Sequence, residues 1–381
     1  MNLKCPSCGG QMVYDVATDK MLCEYCQQKT ETKTFTYETE EYMETNIYHC
    51  SSCGADLMVN GTEAATCCSY CGQPTIVFSR VSKEVKPKWI IPFKITEAQA
   101  LESIKERFQE GSYIPKKIKD LTVDKVHAIY MPYWLFTSYL RRRMVIEART
   151  DDEGTYTYYR DASCRYKNVT LDASLRLTNE MSRRLEPFDP KDLVEFDLGY
   201  LSGFYADKYD VPADALKTDN LKRCRYYLDD AILDTCFHVN KMTIGKLANY
   251  KKKDVHEEYK VENVDYAFLP AYFVNIKYES GNELVIVNGQ TGKVVGNLPV
   301  ERSRIIKKFI KNSLISCPIF AALSAGILWL PNLLPFFAII AAFTAFMIAG
   351  GVSGYKKYKQ GRYRMSASNM VSYVNQREDF R

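Results

Sequence analysis

Eight cysteines near the start of the chain follow one spacing rule, written twice. Cys5 and Cys8 lie two residues apart, fourteen residues intervene, and Cys23 and Cys26 repeat the gap; Cys50, Cys53, Cys68 and Cys71 restate the pattern 45 residues later. A two-residue gap lets both thiolates of a tight knuckle point at one centre, so two knuckles joined by a hairpin complete a tetrahedral four-cysteine site. Gly9, Gly54 and Gly72, each just after a knuckle, suit the positive φ that such turns need, whereas the third knuckle carries Gln27. The pattern predicts two zinc ribbons, over 1–30 and 45–78, with two structural Zn2+ ions held by Cys5, Cys8, Cys23 and Cys26 and by Cys50, Cys53, Cys68 and Cys71.

Other uses of such cysteines fit less well. Disulfides suit secreted chains, but Lys4 and Cys5 come before any apolar run at the start of this one. A thioredoxin-type pair needs one CxxC in a βαβ setting, and here there are four in hairpin-like surroundings. Rubredoxin-like iron uses similar ligands, so the choice between zinc and iron rests on metal analysis. Cys67 would make a CxxxC knuckle and is read as a neighbour of Cys68, and His49 as an exposed histidine. Cys164, Cys224, Cys236 and Cys317 are isolated and suggest small hydrophobes or free thiols.

After Val300 the composition changes. Asn312–Leu330 and Leu333–Ser353 are uncharged, each long enough to cross a bilayer as a helix, and only Pro331 and Asn332 separate them. A transmembrane hairpin is therefore expected over 312–353, followed by a basic tail over 354–381. Arg302, Arg304, Lys307, Lys308 and Lys311 precede it and Lys356, Lys357, Lys359, Arg362 and Arg364 follow it, so the positive-inside rule places both termini in the cytoplasm of a two-helix membrane protein. A reducing cytoplasm agrees with thiolate-bound metal.

Between ribbons and hairpin the chain repeats again. "VDKVHAIYMPYWLFTSYL" from Val123 aligns without a gap on "VENVDYAFLPAYFVNIKY" from Val261, matching Met131 with Leu269 and Pro132 with Pro270. Each copy follows a helical stretch and precedes strand-like sequence, which predicts a duplicated helix-plus-antiparallel-sheet unit over 85–185 and 186–300. A proline heading an aromatic strand suggests an edge or a strand start. The expected fold class is α+β: two tandem four-cysteine ribbons, the duplicated domain and the hairpin.

No catalytic set emerges. "NGQTGKVV" around Gly289 has two residues between its glycines and Val294 after the lysine, so it predicts a hairpin turn, not a phosphate loop. His49, His127, His238 and His256 are scattered, and the doublets Asp151-Asp152 and Asp229-Asp230 suggest solvated charges. A net charge of +5 against 46 acidic residues is too mild to mark a nucleic-acid binder.

Taken together, "CPSCG" at Cys5, "IPFKITEAQAL" at Ile91, "YMPYWLF" at Tyr130, "PFDPKDLVEFDLGYLSGFYADKYDV" at Pro187 and "FLPAYFVNIKY…VNGQTGKVVGNLP" at Phe268 resemble a bacterial, mainly Firmicute, family of membrane-anchored zinc-ribbon proteins, the YdjG-like family. Its members are often labelled TFIIB-type zinc ribbon-containing proteins. The resemblance implies a membrane adaptor, not an enzyme, that recruits PspA-type envelope-stress proteins or SPFH-type proteins. The alternative is a nucleic-acid-binding ribbon held at the membrane. Against it, the stretch from Cys5 to Cys26 sets Asp15, Asp19 and Glu24 against Lys20, and that from Cys50 to Cys71 has only Asp56 and Glu63 as charged side chains.

Overall fold

The computed structural model describes residues 3–32, 41–59, 68, 70, 76–109, 125–149, 155–239, 250–278 and 281–296. Among these no helix is long and apolar enough to cross a membrane; the expected hairpin at 312–353 and tail at 354–381 lie outside them.

The first ribbon is a three-stranded antiparallel sheet of β1 (Met12–Asp15), β2 (Lys20–Cys23) and β3 (Lys29–Thr30). The second begins with β4 (Tyr42–Cys50) and β5 (Asp56–Val59), and β6 (Ile76–Val85) pairs with β4 along its length. There follow β7 (Trp89–Ile90), α1 (Glu97–Gln109), β8 (Lys125–Arg149), β9 (Thr155–Asp172), α2 (Asn179–Leu185), β10 (Val194–Glu195), β11 (Tyr205–Asp207), α3 (Lys217–Val239), β12 (Tyr250–Tyr278), β13 (Gly281–Asn288) and β14 (Val294–Gly296). Among the described residues eleven strands, β4 to β14, form one mixed sheet, so the architecture is a sheet-dominated α+β body.

The centre of that sheet is the antiparallel pair β8 and β12. Met131 stands directly opposite Leu269, the residue with which the alignment matches it. The flanks follow the same correspondence. β11 runs parallel to β8 at Ile129 and Tyr130, and β7 runs parallel to β12 at the matched Ala267 and Phe268. β9 joins β8 from Tyr133, and β13 joins β12 from the matched Ala271.

Pro132 and Pro270 are therefore deep inside long strands, not at edges or strand starts. Each sits where one flanking strand has ended and the next begins. The Pro132 carbonyl accepts from Ala173 N–H at 3.0 Å and the Pro270 carbonyl from Gly289 N–H at 2.9 Å, so the absent proline N–H would face the gap between flanking strands. There it has no ladder bond to lose.

Through 129–133, β8 is buried on both faces and almost continuously apolar. One face carries Tyr130 into a cluster with Phe93, Phe268 and Tyr272, closed by Ala100 and Ile104 of α1 and by Met12, Tyr14 and Met21 of the first ribbon. Thr96 and Gln99 cap α1 reciprocally: Gln99 Oε1 accepts from Thr96 N–H at 2.8 Å, and Thr96 Oγ1 from Gln99 N–H at 3.4 Å. The opposite face sends Ile129, Met131, Tyr133 and Phe273 against Leu177, Met181 and Leu185 and against Cys50, Leu57, Cys68 and Tyr70 of the second ribbon. The second ribbon thus belongs to the main sheet, whereas the first lies on it.

Beyond Tyr139 the pattern of β8 changes to strict alternation, because β8, β9 and β12 extend as an arm covered on one face only. Leu140, Met144 and Ile146 meet Cys224, Leu228, Ile232 and Cys236 of α3, so the isolated cysteines of this helix do serve as small hydrophobes. Arg142, in the middle of that apolar row, is paired with Asp229 and with Glu257, the latter at 3.2 Å. Asp229, partly buried, is therefore held in ion pairs and is not a freely solvated charge, whereas Asp230 is exposed as expected.

"NGQTGKVV" is the turn between β13 and β14. Asn288 N–H reaches the Lys293 carbonyl and Gly292, at φ 75°, donates to the Asn288 carbonyl, each at 2.9 Å.

Candidate metal centres

Each of the three knuckles among the described residues is built by the backbone before any metal is considered. In the first, Gly9 N–H donates to the Cys5 carbonyl at 2.9 Å and Cys5 N–H to the Gly10 carbonyl at 2.7 Å. Gly54 and Ala55 make the same two bonds with Cys50, and Gln27 and Gln28 make them with Cys23. Gly9 and Gly54 sit at φ 73° and 72°, the left-handed conformation the turn requires. Gln27 adopts φ 61° without being glycine, so the missing glycine strains the turn locally and does not change it.

The frame converges four thiols of the first ribbon, Cys5, Cys8, Cys23 and Cys26, to within 4.8 Å of one another. Cys5 Sγ lies 3.7 Å from Cys26 Sγ, and Cys8 Sγ 3.5 Å from Cys23 Sγ. Four sulfurs at about 2.3 Å from one ion in a tetrahedron stand about 3.8 Å apart, so the set fits a single metal ion with little movement. Gly10 N–H points at Cys8 Sγ and Cys26 N–H at Cys23 Sγ, each at 3.4 Å, the orientation that favours thiolates. The Cys26 N–H, opposed by burial and helped by the other knuckle hydrogen bonds, brings the Cys23 thiol down to about 7. For Cys8 the Gly10 N–H pulls the same way, but the crowding Cys26 thiol and burial prevail and push it up to about 12. These four thiols would hold a divalent ion, which would take the place of their protons.

In the second ribbon Cys50, Cys53 and Cys68 form the equivalent cluster, with Cys53 Sγ 3.6 Å from Cys68 Sγ. Cys71, the expected fourth ligand, lies outside the described residues. His49 is not drawn into the cluster; its Nδ1 faces Asp56 Oδ1 at 2.7 Å.

The two centres differ in their surroundings. Cys5 and Cys23 are buried, as their counterparts Cys50 and Cys68 are, but Cys8 is exposed where its counterpart Cys53 is partly buried. Tyr25 and Tyr70 show the contrast most clearly, since both occupy the same place between the last two cysteines of their ribbons. Tyr25 is 84% exposed, and Tyr70 is 1% exposed. The Tyr70 ring meets Phe273 edge-on at 5.0 Å, and its hydroxyl donates to Asp207 Oδ2 at 2.8 Å. Ser174 Oγ donates to the same oxygen at 2.8 Å. Burial, and then the neighbouring Asp210 charge, push the Asp207 carboxyl up to about 7 despite these bonds. Sequence reasoning missed Asp207 and Ser174, because no local pattern marks them. The repeated tyrosine was readable, but not its two fates.

A Bacillus subtilis (strain 168) protein, "Uncharacterized protein YdjG", is 30% identical over 329 residues, a match that spans 81% of this chain and 93% of that protein. No protein-family model matches the chain. No solved structure matches it.

Proposed function

Because the chain belongs to the YdjG family, we propose that it is a membrane-anchored zinc-ribbon adaptor that recruits partner proteins to the cytoplasmic face of the membrane. The observation that carries this reading is the contrast between the two ribbons: one spends its last knuckle on the core through Tyr70, while the other turns the equivalent Tyr25 outward. An exposed aromatic on a rigid, metal-braced turn is a contact residue of the kind that anchors protein interfaces. All-thiolate centres favour zinc and leave no open position for water or substrate, so the metal supports folding and the surface supports binding.

The finer architecture belongs to the same proposal. The central body arose by duplication, a reading supported by the matched residues that meet at Met131 and Leu269 and by the matched flanking strands. The segments 312–353 form the transmembrane hairpin, supported by their length and their basic flanks. PspA-type and SPFH-type proteins are the partners suggested by the family resemblance.

The test is crosslinking and affinity recovery of the full chain from native membranes, with zinc present or stripped. Zinc-dependent recovery of an envelope-stress or SPFH-type protein, lost on Tyr25→Ala, is expected. Salt-sensitive recovery of DNA or RNA with no protein partner would defeat the reading in favour of a nucleic-acid ribbon. For topology, a membrane-impermeant thiol reagent applied to intact cells should miss Asn2→Cys and Asn375→Cys, and strong labelling of either would overturn the cytoplasmic placement.

A further inference from the structure

The first ribbon is attached to the body without sharing a strand with it. Among the described residues β1, β2 and β3 pair only with one another, and the ribbon is held instead by the segment 198–204. Tyr14 N–H donates to the Ser202 carbonyl at 3.1 Å, Ser202 Oγ donates to the Met12 carbonyl at 2.6 Å, and Thr32 Oγ1 donates to Tyr200 Oη at 3.4 Å. Around these bonds the Tyr14 ring meets Tyr200 edge-on at 5.1 Å and Phe204 at 6.2 Å, and Met12 and Met21 are fully buried.

The metal set and the docked face share residues. Cys5 and Cys23 belong both to the four-thiol set and to the buried cluster that joins ribbon to sheet. The other two thiols, Cys8 and Cys26, are exposed, so a small oxidant reaches the set from solvent. Units below about 40 residues rarely fold without a metal, a disulfide or a partner, and this ribbon spans 3–32. Its metal is therefore part of its folding free energy, and losing the ion loosens the face that docks. The main sheet has an independent support, because Ile129, Met131, Tyr133 and Phe273 pack on its opposite face.

We propose that the first four-cysteine centre is a peroxide-sensitive latch: oxidation of its thiolates expels the metal and frees the first ribbon from the segment 198–204, while the main sheet stays folded. The proposal rests on the zinc reading of this centre. An exposed thiolate, Cys8 or Cys26, attacks one oxygen of hydrogen peroxide; the O–O bond breaks, the sulfur becomes a sulfenic acid, and the departing hydroxide takes a proton from solvent. The nearest thiolate of the opposite knuckle, Cys23 at 3.5 Å from Cys8 or Cys5 at 3.7 Å from Cys26, then attacks that sulfur. A disulfide forms and a second hydroxide leaves and is protonated, so the two sulfurs lose two electrons and the peroxide becomes two waters. The ion keeps its charge but retains only two thiolates, and departs. The new disulfide does not restore the docked face: it supplies less folding free energy than four metal bonds, and it draws a buried cysteine towards an exposed one until the sulfurs are about 2.05 Å apart. Released, the ribbon no longer presents Tyr25 on a braced turn, so the adaptor proposed above would be switched off by oxidant.

The experiment uses the reduced, zinc-loaded full-length chain in detergent, treated with hydrogen peroxide and followed by amide hydrogen exchange and by peptide mapping of disulfides. Amides of β1 and β2 should exchange about tenfold faster or more after treatment, while those of β8 at 129–133 and their partners on β12 stay slow. A Cys8–Cys23 or Cys5–Cys26 disulfide should accumulate with the same time course, and a thiol reductant with added zinc should restore the original pattern. Slow exchange in β1 and β2 after the disulfide has formed, equally fast loss of protection in β8 and β12, or the absence of both disulfides would overturn the latch. A Cys8→Ser chain that holds as much zinc as the unchanged chain would instead defeat the metal reading of this centre, which separates the two failures.

Discussion

Tyr25 and Tyr70 offer a matched pair of truncations, one in each ribbon at the same position. Tyr70→Ala removes a ring that is 1% exposed and packed at 5.0 Å on Phe273, a change that costs about 3–5 kcal/mol for a buried aromatic. It also leaves Asp207 with Ser174 as a remaining hydroxyl donor to Oδ2. Tyr70→Phe isolates that second loss and should cost about 1–2 kcal/mol, because the ring stays and only one hydrogen bond to a buried carboxyl is removed. Tyr25→Ala removes a side chain that is 84% exposed and should stay within about 0.5 kcal/mol. For a body of this size each kcal/mol shifts a melting midpoint by about 2–4 °C, so the expected shifts are roughly 6–20 °C, 2–8 °C and under 2 °C. The assay is thermal unfolding of the zinc-replete full chain, followed by tryptophan fluorescence, to which Trp134 contributes from within the body, its indole N–H bonded to the Val211 carbonyl at 2.8 Å. Equal shifts for Tyr25→Ala and Tyr70→Ala, or a Tyr70→Ala midpoint that does not move, would refute the assignment of one ribbon to the core and the other to the surface.

Asp207 gives the pH dependence. Its carboxyl is held up to about 7 mainly by burial, against about 3.9 in an unfolded chain, so between these values the native state keeps a proton that the unfolded state has released. Stability should therefore fall as pH rises from about 4 to 7, by at most about 4 kcal/mol from this group. Asp207→Asn should flatten that part of the wild-type profile, and a decline of equal slope in the variant would count against it. Gly289→Ala should destabilise by about 1–3 kcal/mol through overpacking, because the new Cβ would lie 2.6 Å from Phe93 Cδ1 and 2.7 Å from Pro270 Cβ; a neutral denaturant midpoint would show that this contact relaxes easily. Metal analysis of the purified chain should find about two zinc ions per protomer, falling to about one in Cys8→Ser or in Cys53→Ser. A stably folded, reduced chain with no metal would defeat the assignment.

The sequence by itself determined the local devices. Cysteine spacing sets the knuckles, because the two hydrogen bonds closing each of the three described turns join residues four and five apart, and Thr96 and Gln99 announce the start of α1 for the same reason of short range. The glycine-rich turn after Asn288 was equally plain. The match of Met131 with Leu269 was visible as an alignment, although not that the two residues would face one another across a sheet. What only the tertiary structure decided are the interactions between groups distant in the chain. Pro132 and Pro270 look like edge residues until the flanking strands are seen to change beside them. Asp229 looks like a solvated charge until Arg142 meets it from β8. Tyr25 and Tyr70 carry identical local signals, and they differ only because the second ribbon joins the main sheet through β5 and β11 while the first lies against its opposite face. Burial is a property of what else arrives at a surface, so the difference that leaves Tyr25 exposed and Tyr70 buried is absent from either ribbon's own residues.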